Sequence, residues 1–392
     1  MYLYVLLYSI FAVATANSSS SSSSSPLSSA SSAATTLQTW YNAETGLWDT
    51  CGWWNGANCM TALADLAMLV DESDPLRQTA EEVFNTTFVV APSVNPDPGL
   101  EKVTVNGRPE TRYPAAWPLR THDIQESGTV NASAWLDGAY DDDGWWALAW
   151  IAAYDLTGVQ DYLELAIGIF DEMTTVWPTN CGDGGIYWDH TRSYVNAISN
   201  ELFFSVAAHL ANRASNPADY LDWAQREWAW FQASGMINAQ GTINDGLTAD
   251  CKNNQQTVWS YNQGVVLGGL VELNRAAPNA SYIEAATRIA KAAITALADS
   301  NKVIHESCEP NNCDANQTQF KGIFLRNLQM LQAVAPDDQF AAVIRACADS
   351  IWANDRNDAN QLGVDWAGPV TKVDASTQSS ALDALVAAVA IA

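Results

Sequence analysis

The stretch GWWALAWIAAYDL, Gly144 to Leu156, carries apolar residues on every side of a helix. A helix of that kind belongs inside a protein, whereas one with a single apolar stripe covers a core from outside. The second kind also occurs here, in YIEAATRIAKAAITALAD, residues 282–299, and the first recurs in GVVLGGLVEL, residues 264–273. The two kinds alternate along the chain. Helical periodicity marks segments near 36–47, 55–70, 75–86, 143–156, 159–175, 193–212, 217–233, 257–274, 280–299, 317–334, 337–353 and 376–391. Strand-like alternation is short, as in KVTV at 102–105. Alternating buried and amphipathic helices predict an all-α (α/α)6 barrel, an inner ring inside an outer one. Polar stretches at 87–142, 176–192, 234–256 and 300–316 precede buried helices. Loops of that length in a compact domain are usually functional, and these converge on one end of the inner ring, where a deep cleft is expected.

The 392 residues hold 18 basic and 44 acidic side chains, a net charge of −26. Nucleic acids and anionic membranes are bound through Lys and Arg, so both are excluded as partners and a neutral one is favoured. Seventeen tryptophans and thirteen tyrosines supply either core volume or flat faces for sugar rings. The first sixteen residues, MYLYVLLYSIFAVATA, read as a secretory signal ending in a small-residue cleavage site. Residues 17–35, rich in serine, read as a disordered leader, and 36–392 as one catalytic domain and a monomer. No membrane span is expected. The C-terminal SSALDALVAAVAIA reads as the last inner helix rather than a lipid-anchor signal. N-x-S/T sequons at Asn17, Asn85, Asn131, Asn279 and Asn316 fit an exported glycoprotein. In an oxidising compartment seven cysteines suggest three disulfides. Cys308 with Cys313 is the nearest pair in a polar loop, Cys51 with Cys59 and Cys181 with Cys251 complete the set, and Cys347, inside an apolar helix, stays free. Connectivity is not determined by spacing.

Ahead of the buried helix stands YDDD, residues 140–143. A helix starting at 143 would hold Asp141 and Asp142 at its N-terminus, where free N–H groups and the helix dipole favour carboxylates. Neighbouring like charges raise one pKa, so one acid stays protonated while the other ionises, the separation a glycosidase needs. Adjacent residues bring their carboxyls nearer the ~5–5.5 Å of a retaining pair than the ~6.5–9.5 Å of an inverting one. Taken alone, the triplet reads as helix capping before a tryptophan core.

Four further motifs put polar groups at the entry of buried helices: CGWWNGANCMTAL (51–63), GGIYWDHTRSYVNAISNELFF (184–204), WSYNQGVVLGGL (259–270) and FKGIFLRNL (320–328). Together with YDDDGWWALAWIAAYDLTG, residues 140–158, they resemble glycoside hydrolase family 76, the endo-α-1,6-mannanases and related fungal cell-wall proteins. The resemblance runs from about 36 to 391. It implies an (α/α)6 barrel, a retaining mechanism, no metal or other cofactor, and α-mannan as substrate, acted on by a secreted or cell-wall-associated protein. The family pattern D-D-x-x-x-W falls on Asp141, Asp142 and Trp146. Asp141 is then the nucleophile and Asp142 the general acid/base, with Asp143 left as a helix cap. The family's −1 subsite aspartate points to Asp245 in INDGL, and the polar position on the first inner helix to Asn58.

Other candidates carry two readings each. Trp188 is core or a sugar contact. Asn196 and Asn200, four apart on one helix face, bond sugar hydroxyls or loop backbone. Tyr261, Asn262 and Gln263 line the cleft or brace a loop. Lys321 and Arg326 either pair with the acid cluster or tie the barrel together. An all-α prenyl synthase would need D-D-x-x-D, but Trp145 holds the fifth position. A transglycosylase using the same nucleophile, and a non-catalytic mannan-binding wall protein, remain the alternatives to a hydrolase.

Overall fold

The computed structural model describes residues 25–98, 101–105, 108–112 and 130–392. The signal segment, most of the serine tract and the sequon at Asn17 lie outside them. Among the described residues are twelve α-helices: α1 Pro26–Leu37, α2 Trp53–Met68, α3 Pro75–Val90, α4 Tyr140–Thr157, α5 Gln160–Thr174, α6 Ala197–Leu210, α7 Pro217–Ser234, α8 Ser260–Ala276, α9 Ala280–Leu297, α10 Phe320–Val334, α11 Asp338–Asn354 and α12 Ala375–Ala390. The even-numbered helices touch in order, and α12 packs back on α2 to close the ring. The odd-numbered helices lie outside them, α5 on α4, α7 on α6 and α9 on α8. This is the (α/α)6 barrel that the helix alternation predicts. Two short antiparallel hairpins, Tyr41–Asn42 with Leu47–Trp48 and Glu101–Val105 with Arg108–Arg112, add the described sheet.

Local chemistry sets the helix ends. Proline opens α1, α3 and α7, and side chains of Asp74, Asn196, Asn279, Asp337 and Asp374 cap the first turns of five helices. The rings are held by close packing. A Cβ on Gly322 of α10 would overlap the backbone of Ser380 on α12, so only glycine lets these inner helices meet there.

Three sequence expectations fail here. The first helix is α1, not 36–47, and a good part of the supposed disordered leader is ordered. Ala30, Ala33, Ala34 and Leu37 recur at helical spacing, are fully buried, and pack on α12. Ser25 caps this helix and Pro26 starts it. Residues 38–48 form a 3-10 turn and the first hairpin instead. The Cys51–Cys59 disulfide is also absent: both are free. Their thiols lie in contact, but each also has another use, Cys51 donating to the Trp48 carbonyl and Cys59 to that of Ala375. The third is the helix cap at Asp143. Helix α4 starts at Tyr140, Ala139 stands at its N-cap, and all three aspartates lie in the first turn.

Cys181–Cys251 and Cys308–Cys313 are bonded, and Cys347 is buried and free, as expected. Cys181–Cys251 spans 70 residues and ties two loops of the cleft rim. Closing a loop of that length stabilises the folded chain by about 4 kcal/mol in the chain-entropy picture. Cys181→Ser should therefore shift the urea midpoint down clearly, and Cys313→Ser less. Equal midpoints for Cys181→Ser and the native protein would contradict this.

Candidate active site

The cleft lies where inner helices begin. Trp54 of α2, Asp141, Asp142 and Trp145 of α4, Asn196 at the start of α6, Tyr261 of α8 and Phe320 of α10 line one cavity of about 580 Å3. Loops add Trp188, Tyr194, Asp245, Trp259, Asp314, Asn316 and Gln317. The walls are aromatic. Tyr261 stacks on Phe320 with centroids 3.7 Å apart, and Trp54 stacks on Trp145 at 5.6 Å.

Backbone pairing delivers the loops. Tyr140 N donates to the Trp188 carbonyl at 2.8 Å and His190 N to that of Gly138 at 2.8 Å. This zip lays Trp188 over the start of α4, where its indole N–H donates to the Asp141 carboxylate at 3.2 Å. Trp188 remains 41% exposed, a large aromatic face left in water beside the acids. The next loop is pinned similarly: Ala197 N donates to the Asp245 carbonyl and Leu247 N to that of Val195. A Cβ on Gly246 would lie 2.6 Å from the Val195 carbonyl oxygen, so this approach needs glycine. Tyr194 donates its hydroxyl proton to Asp245 at 2.5 Å and accepts from Asn254 at 2.8 Å.

Two amide side chains act as loop braces. The Asn200 oxygen accepts from Ile186 N at 2.7 Å while its nitrogen donates back to the Ile186 carbonyl at 3.0 Å. Gln263 does the same to Ile243, at 2.8 Å in each direction. A side-chain amide thus supplies the pairing a neighbouring strand would give, and satisfies backbone that burial would otherwise leave unbonded. These braces hold the segments carrying Trp188 and Asp245.

Asp141 and Asp142 are not alone. Asp137, which sequence reasoning did not single out, hydrogen-bonds Asp142 through its side chain and accepts from Ala139 N at 3.0 Å. Asp143 is buried and accepts from Asp137 N at 3.2 Å, so it shapes the approach to α4. Burial pushes the Asp141 carboxyl up to about 7, with the Asp137 charge adding to it and the Trp188 N–H opposing. Burial, then the charges of Asp137 and Asp141, hold Asp142 well above the usual carboxylate range. Asp137 rises to about 6, again through burial. Such a group gives up its protons one at a time. Loss of the first proton from this helix turn therefore makes loss of the next harder.

Of the sequence candidates, Asp141, Asp142, Trp188, Asn196, Asp245 and Tyr261 meet at the cleft. Asn196 also caps α6, accepting from Ser199 N. Asn200 and Gln263 stand behind it as braces, and Asn262 is fully buried. Lys321 is buried away from the acid pair. Its ammonium donates to the Val364 carbonyl at 2.8 Å, pairs with Glu309 and lies 4.3 Å over the Trp366 ring. Arg326 pairs with Asp383 and with Asn58, so both Asn58 and Arg326 lie outside the residues that line the cleft. The sequon residues Asn85, Asn131 and Asn279 are exposed. Asn316 is exposed too, but its oxygen accepts from the Trp54 indole at 3.0 Å, so a glycan there would stand in the cleft mouth. Among the described residues, His305, Glu309 and Asp365 are spaced as metal ligands. Lys321 and His305 already pair with Glu309, so the cation place is taken by the protein itself.

What sequence reasoning missed has a common signature. Trp54, Tyr194, Trp259 and Phe320 each sit within or beside the quoted motifs, at the residue where a loop turns into an inner helix or just before it.

Parallel inner helices with a carboxylate-bearing cleft at their N-terminal ends make an (α/α)6 barrel whose paired acids suit glycoside hydrolysis. The family model of glycosyl hydrolase family 76 matches residues 120–391. The chain belongs to that family. It is 34% identical over 217 residues to a putative mannan endo-1,6-alpha-mannosidase of Schizosaccharomyces pombe, covering 51% of this chain and 49% of that protein. It is 28% identical over 272 residues to mannan endo-1,6-alpha-mannosidase DFG5 of Candida albicans, covering 63% and 60%. The chain thus spans about half to three-fifths of the length of these relatives. An inactive variant of the α-1,6-mannanase GH76A of Salegentibacter sp. HEL1_6, in complex with α-1,6-mannotetrose, superposes with a TM-score of 0.74 at 19% identity, covering 93% of this chain and 99% of that one. At that identity the likeness speaks for the fold.

Proposed function

We propose that the protein is a retaining glycosidase that cleaves internal α-1,6-mannosidic bonds. The observation that carries this is the paired environment of Asp141 and Asp142: one turn of helix, one held by an indole N–H, the other by a third carboxyl. Asp141 attacks the anomeric carbon while the bond to the leaving sugar breaks and Asp142 gives that oxygen its proton. A mannosyl ester on Asp141 results. Asp142, now ionised, takes a proton from the incoming water or sugar hydroxyl, which displaces Asp141 and restores both groups. Asp245, with Tyr194 behind it, bonds hydroxyls of the bound sugar, and pyranose faces stack on the aromatic walls. An uncharged polymer suits a surface of net charge −26. The apolar N-terminal segment, the sequons and the two disulfides support export, and among the described residues no helix is long and apolar enough to cross a membrane.

Incubation with linear α-1,6-mannan should release short oligosaccharides, and adding an acceptor glycan shows whether water or sugar takes the mannosyl group. Binding without any product between about pH 3 and 8 would favour a mannan-binding protein instead.

The acid limb of the rate profile should report Asp141 and lie well above the ordinary aspartate value of ~4. The Trp188 N–H lowers the Asp141 pKa. Trp188→Phe should therefore move the acid limb to higher pH and reduce kcat/KM roughly 10–100-fold, as for a lost hydrogen bond to a charge. The Asp137 charge raises it, so Asp137→Asn should move the limb to lower pH. Limbs unmoved in both variants would disprove this assignment.

A further inference from the structure

The inner helices end, as they begin, around a cavity. All six contribute to its lining, from Thr61 on α2 to Ala390 on α12, and its volume is about 260 Å3. That falls just below the roughly 300–1,000 Å3 of pockets for drug-sized ligands and is room for about nine waters. Trp145, only 3% exposed, lines both this cavity and the catalytic cleft, so one indole divides two separate spaces. Met68 and Leu69, 42% and 41% exposed, stand at its edge, and Leu148 and Val265 supply apolar wall.

Charge in this cavity is unbalanced. Asp65, Asp155, Glu272 and Asp383 face Arg213 and Arg326. Arg213 is engaged by Asp155 at 2.7 Å and Glu272 at 2.8 Å. Arg326 divides itself between one oxygen of Asp383 and the side chain of Asn58. The other oxygen of Asp383 is buried with no hydrogen-bond partner, on a residue 2% exposed. No basic side chain among the described residues forms an ion pair with Asp65. Six helix C-termini converge here as well, each contributing partial negative charge from its last carbonyls. The opposite end of the barrel has helix N-termini, so the two cavities have opposite backbone fields. A buried carboxylate oxygen without a donor costs free energy until one is supplied.

We propose that this cavity is a second ligand site that takes a small primary ammonium ion carrying a short apolar chain. The ammonium donates to the unpartnered Asp383 oxygen and faces Asp65, and the chain lies along the apolar wall towards Met68 and Leu69. An ammonium has three donors and a compact charge, which matches two carboxylates that one arginine leaves partly unmet. A carboxylate or phosphate ligand is disfavoured by the same charges.

The test is calorimetric titration of the full-length protein with hexylammonium chloride, 1-hexanol and sodium hexanoate. Hexylammonium should bind saturably at one per chain, hexanol at least about tenfold more weakly, and hexanoate not at all. Asp383→Asn should weaken hexylammonium binding roughly 10–100-fold, and Asp65→Asn, on a different helix, should weaken it too. The double variant Asp141→Asn with Asp142→Asn should bind as the native protein does, because the cleft is a different space. Non-saturating uptake, equal binding of hexanol, unchanged affinity in both Asp383→Asn and Asp65→Asn, or loss in the double variant would each overturn the proposal. If Asp383→Asn does not fold by circular dichroism, the hexanol contrast and Asp65→Asn decide.

Discussion

Asp141→Asn should lose activity by roughly 10⁴-fold or more on every substrate, as removal of a nucleophile does. An amide oxygen cannot form the mannosyl ester, and the neighbouring carboxyls of the same helix turn are otherwise engaged. Asp142 is tied to Asp137, and Asp143 is turned to the Asp137 backbone. Asp142→Asn should behave differently. Without a proton donor the mannan leaving group departs slowly, a loss of about 10²–10⁴-fold. An activated aryl mannoside needs no proton to leave, so its first step should survive and a mannosyl-enzyme should accumulate, visible by mass spectrometry as an adduct on the peptide containing Asp141. Asp143→Asn keeps an oxygen that can accept from Asp137 N, so it should stay within a few-fold of native activity. If Asp142→Asn is equally dead on both substrates, or the adduct maps to another residue, the roles are misassigned.

The second large effect is on stability. Burial raises an unusual number of carboxyls. Asp65 rises to about 6, Asp141, Glu306 and Asp383 to about 7, Glu227 and Asp355 to about 8, and Asp142, Asp143 and Glu201 well above normal. For an acid whose folded pKa exceeds its unfolded value, the unfolded state loses its proton first as pH rises. Its contribution is therefore complete below about pH 4 and disappears as pH climbs through the folded pKa. One group moved from about 4 to about 7 is worth roughly 4 kcal/mol across that interval. Several together match the ~5–15 kcal/mol that holds a typical domain folded, so alkaline unfolding should precede ionisation of all of them. Glu272 and Glu309 have lowered values because nearby cations outweigh burial, His209 and then Arg213 beside Glu272 and Lys321 beside Glu309. Their contribution has the opposite sign and is lost as pH falls below about 4. The melting temperature should thus be highest near pH 4–5 and fall by several degrees or more towards pH 8. The double variant Asp141→Asn with Asp142→Asn should show a shallower fall. A melting temperature that is flat or rising from pH 5 to 8 would refute this.

Helix alternation was legible in the chain because burial on all sides and burial on one side leave different local patterns, and nothing beyond a dozen residues is needed to tell them apart. Eleven of the twelve predicted segments have counterparts among the described helices. The exception is 36–47, and the helix found in its place, α1, is a serine-rich stretch whose small apolar stripe means little until α12 is there to receive it. The same limit governs the site. Asp141, Asp142 and Trp188 stand in motifs whose residue types already suggest their chemistry, and the fold brings them together. Lys321 and Arg326 were equally conspicuous as rare cations. Which groups they meet is decided outside their own helix, Glu309 and the Val364 carbonyl for Lys321, Asp383 and Asn58 for Arg326. Asp137 is four residues before Asp141 and looks ordinary. Only the turn that folds it back against Asp142 makes it part of the acid cluster. Composition and periodicity determined the barrel and which end of its helices holds the acids. Pairings across the closed ring decided which polar groups face the cleft, which brace it, and which thiols stay unbonded, because hydrogen bonds and ion pairs are made between neighbours in space.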